Sequence, residues 1–173
     1  LAPILIGSHG DSQPLGGRYD GIYGVLAGLE VLLSLNQHRI ETERPVDLVM
    51  WTNEEGARFA PAMMGAAVFT GKLSLDEAFK KQDKQGISVK SELERIGYLG
   101  NDDFSDYKPR AALELHIEQG PILERNHTDI GIVSGALGQN WYRIQLDGLA
   151  SHAGTTPMNL RRDAGIGMAE AMV

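Results

Sequence analysis

The chain has 173 residues, 42% of them hydrophobic and 23% charged, a composition that suits a folded protein with one substantial core and the beginning of a second domain. The net charge of -7 argues against a nucleic-acid partner, because binding to a phosphate backbone depends on clustered lysine and arginine. No cysteine is present, so disulfides and thiolate metal sites are excluded, and any metal must be held by histidines and carboxylates.

The chain opens on an apolar run, residues 1–6, and no basic segment precedes it. No stretch of the sequence approaches the roughly 20 apolar residues that span a bilayer. We therefore predict a cytoplasmic protein with no membrane contact. The first residue is not methionine and the last five, 169–173, look helical, so we expect both ends to be cuts in a longer polypeptide.

Three short runs rich in valine, isoleucine and leucine predict buried strands at residues 3–6, 46–51 and 111–117. Between the first two, residues 21–37 place apolar side chains at the three-, four- and seven-residue spacing of an amphipathic helix. Strand, helix and strand in this order predict a right-handed crossover. The expected fold class is α/β, with a mainly parallel mixed sheet flanked by helices.

Two shorter helices are predicted after the second strand. Residues 75–81 follow Ser74, a plausible N-cap, and residues 89–96 form the other helix. The polar residues 97–109 predict a surface connection to the third strand.

The last part of the chain changes character. Residues 130–134 predict a brief strand, and the glycine-containing segment 135–138 predicts an irregular connection. Residues 141–146 alternate between apolar and polar side chains, which predicts a half-buried strand. We therefore predict a first domain at residues 1–135 and the beginning of a second domain at residues 136–173.

Acidic and imidazole side chains gather where the predicted strands end, which is where open α/β sheets bind ligands. They are His9 and Asp11 after the first strand, Asp20 at the helix start, Glu54 and Glu55 after the second strand, and His116 at the end of the third. Such nitrogen and oxygen donors suit zinc, with manganese, cobalt or nickel as alternatives. Asp11 is placed to accept the second imidazole N–H of His9 and so fix its tautomer.

Each of these residues also has an ordinary interpretation. Asp20 is a typical helix N-cap, and a lone histidine such as His116 is usually a hydrogen-bonded core residue. The pair Glu54 and Glu55 could form a solvated turn, although like charges beside an apolar strand are costly without compensating cations or protons. Taken together, the four groups His9, Asp20, Glu55 and His116 favour a metal site.

Five segments, in this order, resemble the M20-type metal-dependent amidases: GSHGDSQP at 7–14, GRYDG at 17–21, TNEEGARF at 52–59, ELHIEQGP at 114–121 and SHAGTTP at 151–157. Within that family, the sequence is most similar to N-carbamoyl-L-amino-acid hydrolases and β-ureidopropionases of the yeast and bacterial type, and less similar to allantoate amidohydrolases. The resemblance implies a zinc-exopeptidase-like catalytic domain followed by a small α+β lid and dimerisation domain, whose first strand would be 141–146.

The resemblance also implies roles for single residues. Two divalent metal ions, most suitably zinc, would be held by His9, Asp20 as the bridging carboxylate, Glu55 and His116. Glu54 would be the general acid/base, Asp11 would orient His9, and Gln119 and His152 would contact the substrate. The complete protein would be a homodimer through its lid domain, with a fifth histidine ligand and a carboxylate-binding arginine beyond Val173.

We therefore predict a metal-dependent amidohydrolase that cleaves the carbamoyl C–N bond of N-carbamoyl amino acids, including N-carbamoyl-β-alanine, to the amino acid, ammonia and carbon dioxide. In this reaction Glu54 would move a proton from water to the leaving nitrogen, and His152 would stabilise the oxyanion. Allantoate amidohydrolase and metal aminopeptidase are alternatives on the same fold, and a non-catalytic binding protein is the alternative of another class.

Overall fold

A computed structural model describes residues 1–140 and 142–173. The chain divides into two compact units, Leu1–Asp129 and Ile130–Val173. The predicted domain division after residue 135 stays a prediction. Among the described residues, no helix combines the length and the apolar character that crossing a bilayer requires.

The first unit is built on a three-stranded parallel sheet, in which β1 lies between β2 and β3. Its strands are β1 (Ile4–His9), β2 (Val46–Trp51) and β3 (Ala111–Leu113). The predicted α/β fold class is confirmed. The third strand ends at Leu113, short of the predicted residue 117. Its pairing with β1 covers residues 111–113.

Helix α1 (Ile22–Gln37) connects β1 to β2 and contacts both strands. The predicted helix over residues 21–37 is confirmed. Two glycines one turn apart, Gly24 and Gly28, are buried and let the helix backbone come close to the sheet.

Three short helices follow β2: α2 (Met64–Phe69), α3 (Leu75–Lys80) and α4 (Val89–Arg95). Ser74 forms a capping box with the third residue of α3, and Ser88 caps α4, so both predicted helices are confirmed within one residue at their ends. Helix α2 has no such cap and was not predicted. A buried cluster joins the three helices and consists of Phe59, Met64, Ala78 and Val89.

The connection at residues 97–109 contains no helix or strand, as predicted, and packs against the sheet through aromatic side chains. Tyr107 contacts Phe69 with ring centroids 5.8 Å apart, and Phe69 contacts Trp51 at 5.3 Å. The Tyr107 hydroxyl donates to Asp47 Oδ2 at 2.5 Å, and burial together with this carboxylate raises the pKa of Tyr107 to about 12. These contacts attach the connection to β2.

Helix α5 (Ile122–Arg125) ends the first unit, and the second unit contains a 3-10 turn at Met158–Leu160 and helix α6 (Ala164–Ala171). The prediction of a strand at 130–134 is wrong, since these residues form no strand and Ile132 is 94% exposed.

The second predicted strand, at 141–146, is also absent from the part of it that the structure describes. Trp141 lies outside the described residues, and residues 142–146 form no strand. Alternating apolar residues form a strand only where a neighbouring segment supplies hydrogen bonds and a face to cover. Among the described residues, no segment pairs with 130–134 or 142–146.

The two buried glycines of α1 make a matched test of how the helix packs. A Cβ at Gly24 would overlap the Leu115 carbonyl oxygen and lie 2.7 Å from Ser8 Cβ, whereas a Cβ at Gly28 would first meet the tip of the Leu48 side chain at 2.6 Å. We expect Gly24→Ala to lower the free energy of unfolding by about 1–3 kcal/mol, because backbone cannot move aside easily.

Gly28→Ala should cost less, because the Leu48 side chain can rotate and alanine is favoured over glycine in a helix by about 1 kcal/mol. Urea unfolding of both variants measures the difference. Equal destabilisation by the two substitutions would show that the Gly24 contact does not limit the approach of α1.

Candidate metal centre

The predicted site residues of the first unit lie where its three strands end. The parallel register pairs His9 with Trp51, the last residues of β1 and β2, so the segment that carries Glu54 and Glu55 begins beside His9. His116 lies three residues after β3. The buried Ser8 donates to Glu114 Oε1 at 2.5 Å and attaches the His116 segment to β1.

A first group of donor atoms consists of His9, Asp20 and His116, whose ligand atoms all lie within 4.8 Å of one another. Asp20 Oδ1 is 3.7 Å from His9 Nε2 and 3.1 Å from His116 Nε2. The Gln119 side-chain amide donates to the other oxygen of Asp20. One carboxylate oxygen therefore faces two imidazoles.

Both imidazoles are oriented by main-chain carbonyl groups. His9 Nδ1 lies 2.8 Å from the Asp11 carbonyl oxygen, and His116 Nδ1 lies 2.8 Å from the Ile117 carbonyl oxygen. A carbonyl oxygen only accepts, so Nδ1 carries the proton in each ring and Nε2 keeps its lone pair. This is the tautomer that can bind a cation through Nε2.

The predicted contact between the Asp11 carboxylate and His9 needs a correction. The carboxylate Oδ1 is 3.7 Å from His9 Nδ1, and the main-chain carbonyl of Asp11 makes the shorter contact. The carboxylate instead accepts the main-chain N–H groups of Glu54 and Glu55 at 3.2 and 3.1 Å. The carboxylate therefore holds the turn that carries the two glutamates, and the main-chain carbonyl holds the ring.

A second group consists of His9, Glu54 and Glu55, again with ligand atoms within 4.8 Å of one another. Glu54 Oε2 is 3.6 Å from His9 Nε2. Glu55 Oε1 is buried and has no hydrogen-bond partner among the described residues. A buried carboxylate oxygen without a partner is costly unless a cation or proton compensates, so the donor set fits a bound metal ion.

Burial raises the pKa of Glu54 above its ordinary value. The neighbouring His9 lowers this pKa, while Glu55, Asp11 and Glu114 raise it further. Burial, together with the neighbouring carboxylates, therefore makes the ionised form of Glu54 less favourable than that of an exposed glutamate.

The ordinary interpretations of single residues agree poorly with this geometry. Gly21, not Asp20, is the N-cap of α1, and no side chain caps that helix. The His116 side chain is 32% exposed and faces Asp20, unlike a core histidine. The Glu54 side chain is only 27% exposed, which is low for a solvated turn.

Three further residues, Gly21, Gln13 and Asn53, also shape the site. Gly21 has a φ of 68°, and a Cβ there would overlap the His9 ring. Gln13 donates to Glu55, and Asn53 donates to the Phe59 carbonyl oxygen at 2.8 Å, which folds the segment after β2 back on itself. Of these three residues, the sequence indicates only Gly21, because a glycine next to a candidate ligand allows the backbone to approach closely.

His152 lies in the second unit, where its Nδ1 accepts the N–H groups of Gly154 at 3.0 Å and Thr155 at 3.2 Å. The remaining nitrogen, Nε2, therefore carries the proton and is a donor. Substrate contact by His152 stays a prediction. The same holds for Gln119, whose amide is engaged with Asp20 and which has a positive φ of 55°.

Comparison with known proteins identifies close relatives. Residues 5–170 match the family described as Peptidase family M20/M25/M40. The chain is 46% identical over 170 residues to an N-carbamoyl-L-amino-acid amidohydrolase of Rhizobium meliloti, covering 98% of this chain and 41% of the relative. It is 38% identical over 162 residues to the allantoate amidohydrolase of Bacillus subtilis, covering 92% of this chain and 39% of that protein.

Among solved structures, an amidase of the hydantoinase/carbamoylase family from Burkholderia multivorans matches with a TM-score of 0.84 and 54% identity. The match covers 98% of this chain and 41% of that chain. This chain therefore spans about two fifths of the length of the relatives it matches.

The raised pKa of Glu54 predicts a gain in stability when its charge is removed. In the folded, metal-free protein the ionised carboxylate is disfavoured relative to the unfolded chain, so the penalty is present at neutral pH and disappears as the carboxyl is protonated in acid. We expect Glu54→Gln to raise the Tm of the chelator-treated protein at neutral pH, and the gain to shrink as the pH falls.

Glu43→Gln, at an exposed glutamate, is the matched control for loss of one negative charge. Thermal unfolding followed by circular dichroism across a pH series measures the effect. A Tm gain in Glu54→Gln that is independent of pH would contradict this explanation.

Proposed function

Because this chain belongs to peptidase family M20/M25/M40, we propose that it forms the metal-binding part of an amidohydrolase that cleaves the carbamoyl C–N bond of N-carbamoyl amino acids. The products would be the amino acid, ammonia and carbon dioxide. One observation carries the proposal: two groups of histidine and carboxylate donors share His9 at the end of a parallel sheet. The similarity to an N-carbamoyl-L-amino-acid amidohydrolase supports the substrate class.

The proposed ligands of two divalent metal ions, most suitably zinc, are His9, Asp20, Glu55 and His116. Asp20 is the natural shared carboxylate, because its Oδ1 faces the Nε2 atoms of both histidines. Glu55 contributes the buried oxygen that has no partner among the described residues. When bound, such ions polarise a carbonyl oxygen and lower the pKa of water.

Glu54 is the proposed general acid/base. Its carboxylate lies beside His9, but neither of its oxygens is a ligand in the proposed set, whereas Glu55 supplies one. It would take a proton from the attacking water and pass it to the leaving nitrogen.

His152 is the proposed donor to the oxyanion, through the Nε2–H that its backbone contacts leave free. Removal of a donor of this kind typically costs about 3–4 kcal/mol of transition-state stabilisation. Gln119 is the proposed substrate contact that also holds Asp20. Residues 136–173 would begin a lid domain, and we propose that the protein assembles as a homodimer through this domain.

Glu54→Gln tests the central role in the natural full-length polypeptide that carries this sequence. We expect this variant to bind its metal ions and to lose turnover of N-carbamoyl amino acids by about 10²–10⁴-fold, because proton transfer is removed and ligation is not. Metal content by atomic absorption and kcat by ammonia release are the measurements, with Glu43→Gln as the control. Turnover close to that of the unaltered protein would exclude Glu54 from this role.

A substrate panel tests the reaction itself. The similarity to an allantoate amidohydrolase favours that activity as a second candidate, and fold alone does not fix the substrate. We expect N-carbamoyl amino acids to give the highest kcat/KM among N-carbamoyl amino acids, allantoate and dipeptides. Preference for allantoate or dipeptides would replace the proposed substrate, and absence of hydrolysis and of bound metal would favour a binding protein.

A further inference from the structure

The Gln13 side chain contacts both the main chain and the side chain of Glu55. Its side-chain nitrogen Nε2 donates to the Glu55 carbonyl oxygen at 2.9 Å and to Glu55 Oε2 at 3.2 Å. An amide group has two N–H donors, so it can make both hydrogen bonds at once. Gln13 lies in the loop after β1, 42 residues before Glu55, and therefore connects two separate segments of the site.

This contact makes the two carboxylate oxygens of Glu55 unequal. Oε2 has a hydrogen-bond partner in Gln13, whereas Oε1 is buried and has none among the described residues. The Gln13 amide thus donates to Oε2, and Oε1 is the oxygen for which a cation would compensate. A carboxylate held in this way offers one defined oxygen, whereas a free carboxylate can rotate or present both.

The position of the Glu55 main chain does not depend on Gln13 alone. The Asp11 carboxylate accepts the N–H groups of Glu54 and Glu55 from the same loop. Loss of the Gln13 amide should therefore leave the backbone of the turn in place and release mainly the Glu55 carboxylate.

We propose that Gln13 is a positioning residue that commits Glu55 to bind a divalent cation through Oε1 alone. This inference rests on the proposed function, since it takes Glu55 as a metal ligand. Hydrogen bonds to metal-binding groups orient those groups, and their removal typically weakens metal affinity by about 10- to 100-fold. Gln13 is the candidate for such a role on Glu55.

The test is Gln13→Leu in the natural full-length polypeptide, with Co²⁺ as the probe. Leucine removes the amide and keeps a side chain of similar size. Gln37→Leu, at the exposed end of α1, is the matched control, and Glu55→Gln is the reference for loss of the ligand. Co²⁺ affinity is measured by calorimetry, coordination by the visible absorption of the bound ion, and fold by the Tm of the metal-free protein.

We expect Gln13→Leu to weaken Co²⁺ affinity by about 10- to 100-fold. The intensity of the visible bands should also change, because release of Oε2 alters the number of oxygen atoms around the ion. The metal-free Tm should stay close to that of Gln37→Leu. A purely structural role for Gln13 would lower the Tm and leave the spectrum unchanged, and that result would overturn the inference.

Two further outcomes separate this inference from the proposed function. If Glu55→Gln loses Co²⁺ and Gln13→Leu binds it with unchanged affinity and spectrum, the role of Gln13 is overturned and the metal site remains. If the unaltered polypeptide binds no Co²⁺, the proposed function and the inference both fall.

Discussion

The parallel pairing of β1 with β2 and β3 is the constraint on which the candidate site depends. It aligns His9 with the end of β2, so the segments that follow the strands begin at the same edge of the sheet. Residues far apart in sequence then place four carboxylates, from Asp11, Asp20, Glu54 and Glu55, around one buried imidazole. Like charges at such distances repel, and their accumulation is understandable where a cation is to be bound.

The site is held largely by backbone groups, which limits how far its side chains can move. Both histidines are oriented by carbonyl oxygens, and the Glu54–Glu55 turn is held through its N–H groups. Two glycines permit the close approach this needs: Gly21 lies against the His9 ring and Gly24 lies against the Leu115 carbonyl. Backbone groups are already fixed by the sheet and by α1, so the donor atoms are positioned before any cation arrives.

Local patterns predicted what local forces determine. Helical spacing located α1, the serine caps located α3 and α4, and short apolar runs located β1 and β2. The end of β3 and the strands expected at 130–134 and 141–146 depend on neighbouring backbone that a local pattern cannot reveal. The gathering of His9, Asp20, Glu54, Glu55 and His116 followed from the parallel sheet and the family resemblance. The Gln13–Glu55 and Ser8–Glu114 hydrogen bonds span 42 and 106 residues, and no local pattern indicates which side chains meet over such separations.

Asp11 couples the two groups of donors that share His9. Its carbonyl oxygen holds the imidazole, and its carboxylate holds the turn that carries both glutamates, so a shift of this residue moves all three side chains together. A carboxylate that only held the imidazole could be replaced by another acceptor, because the ring needs one hydrogen bond to fix its tautomer. The second contact removes that freedom, since the two N–H groups need two oxygens at a fixed spacing. Asp11 is therefore better explained as a connector between the first strand and the glutamate turn than as a partner of His9 alone.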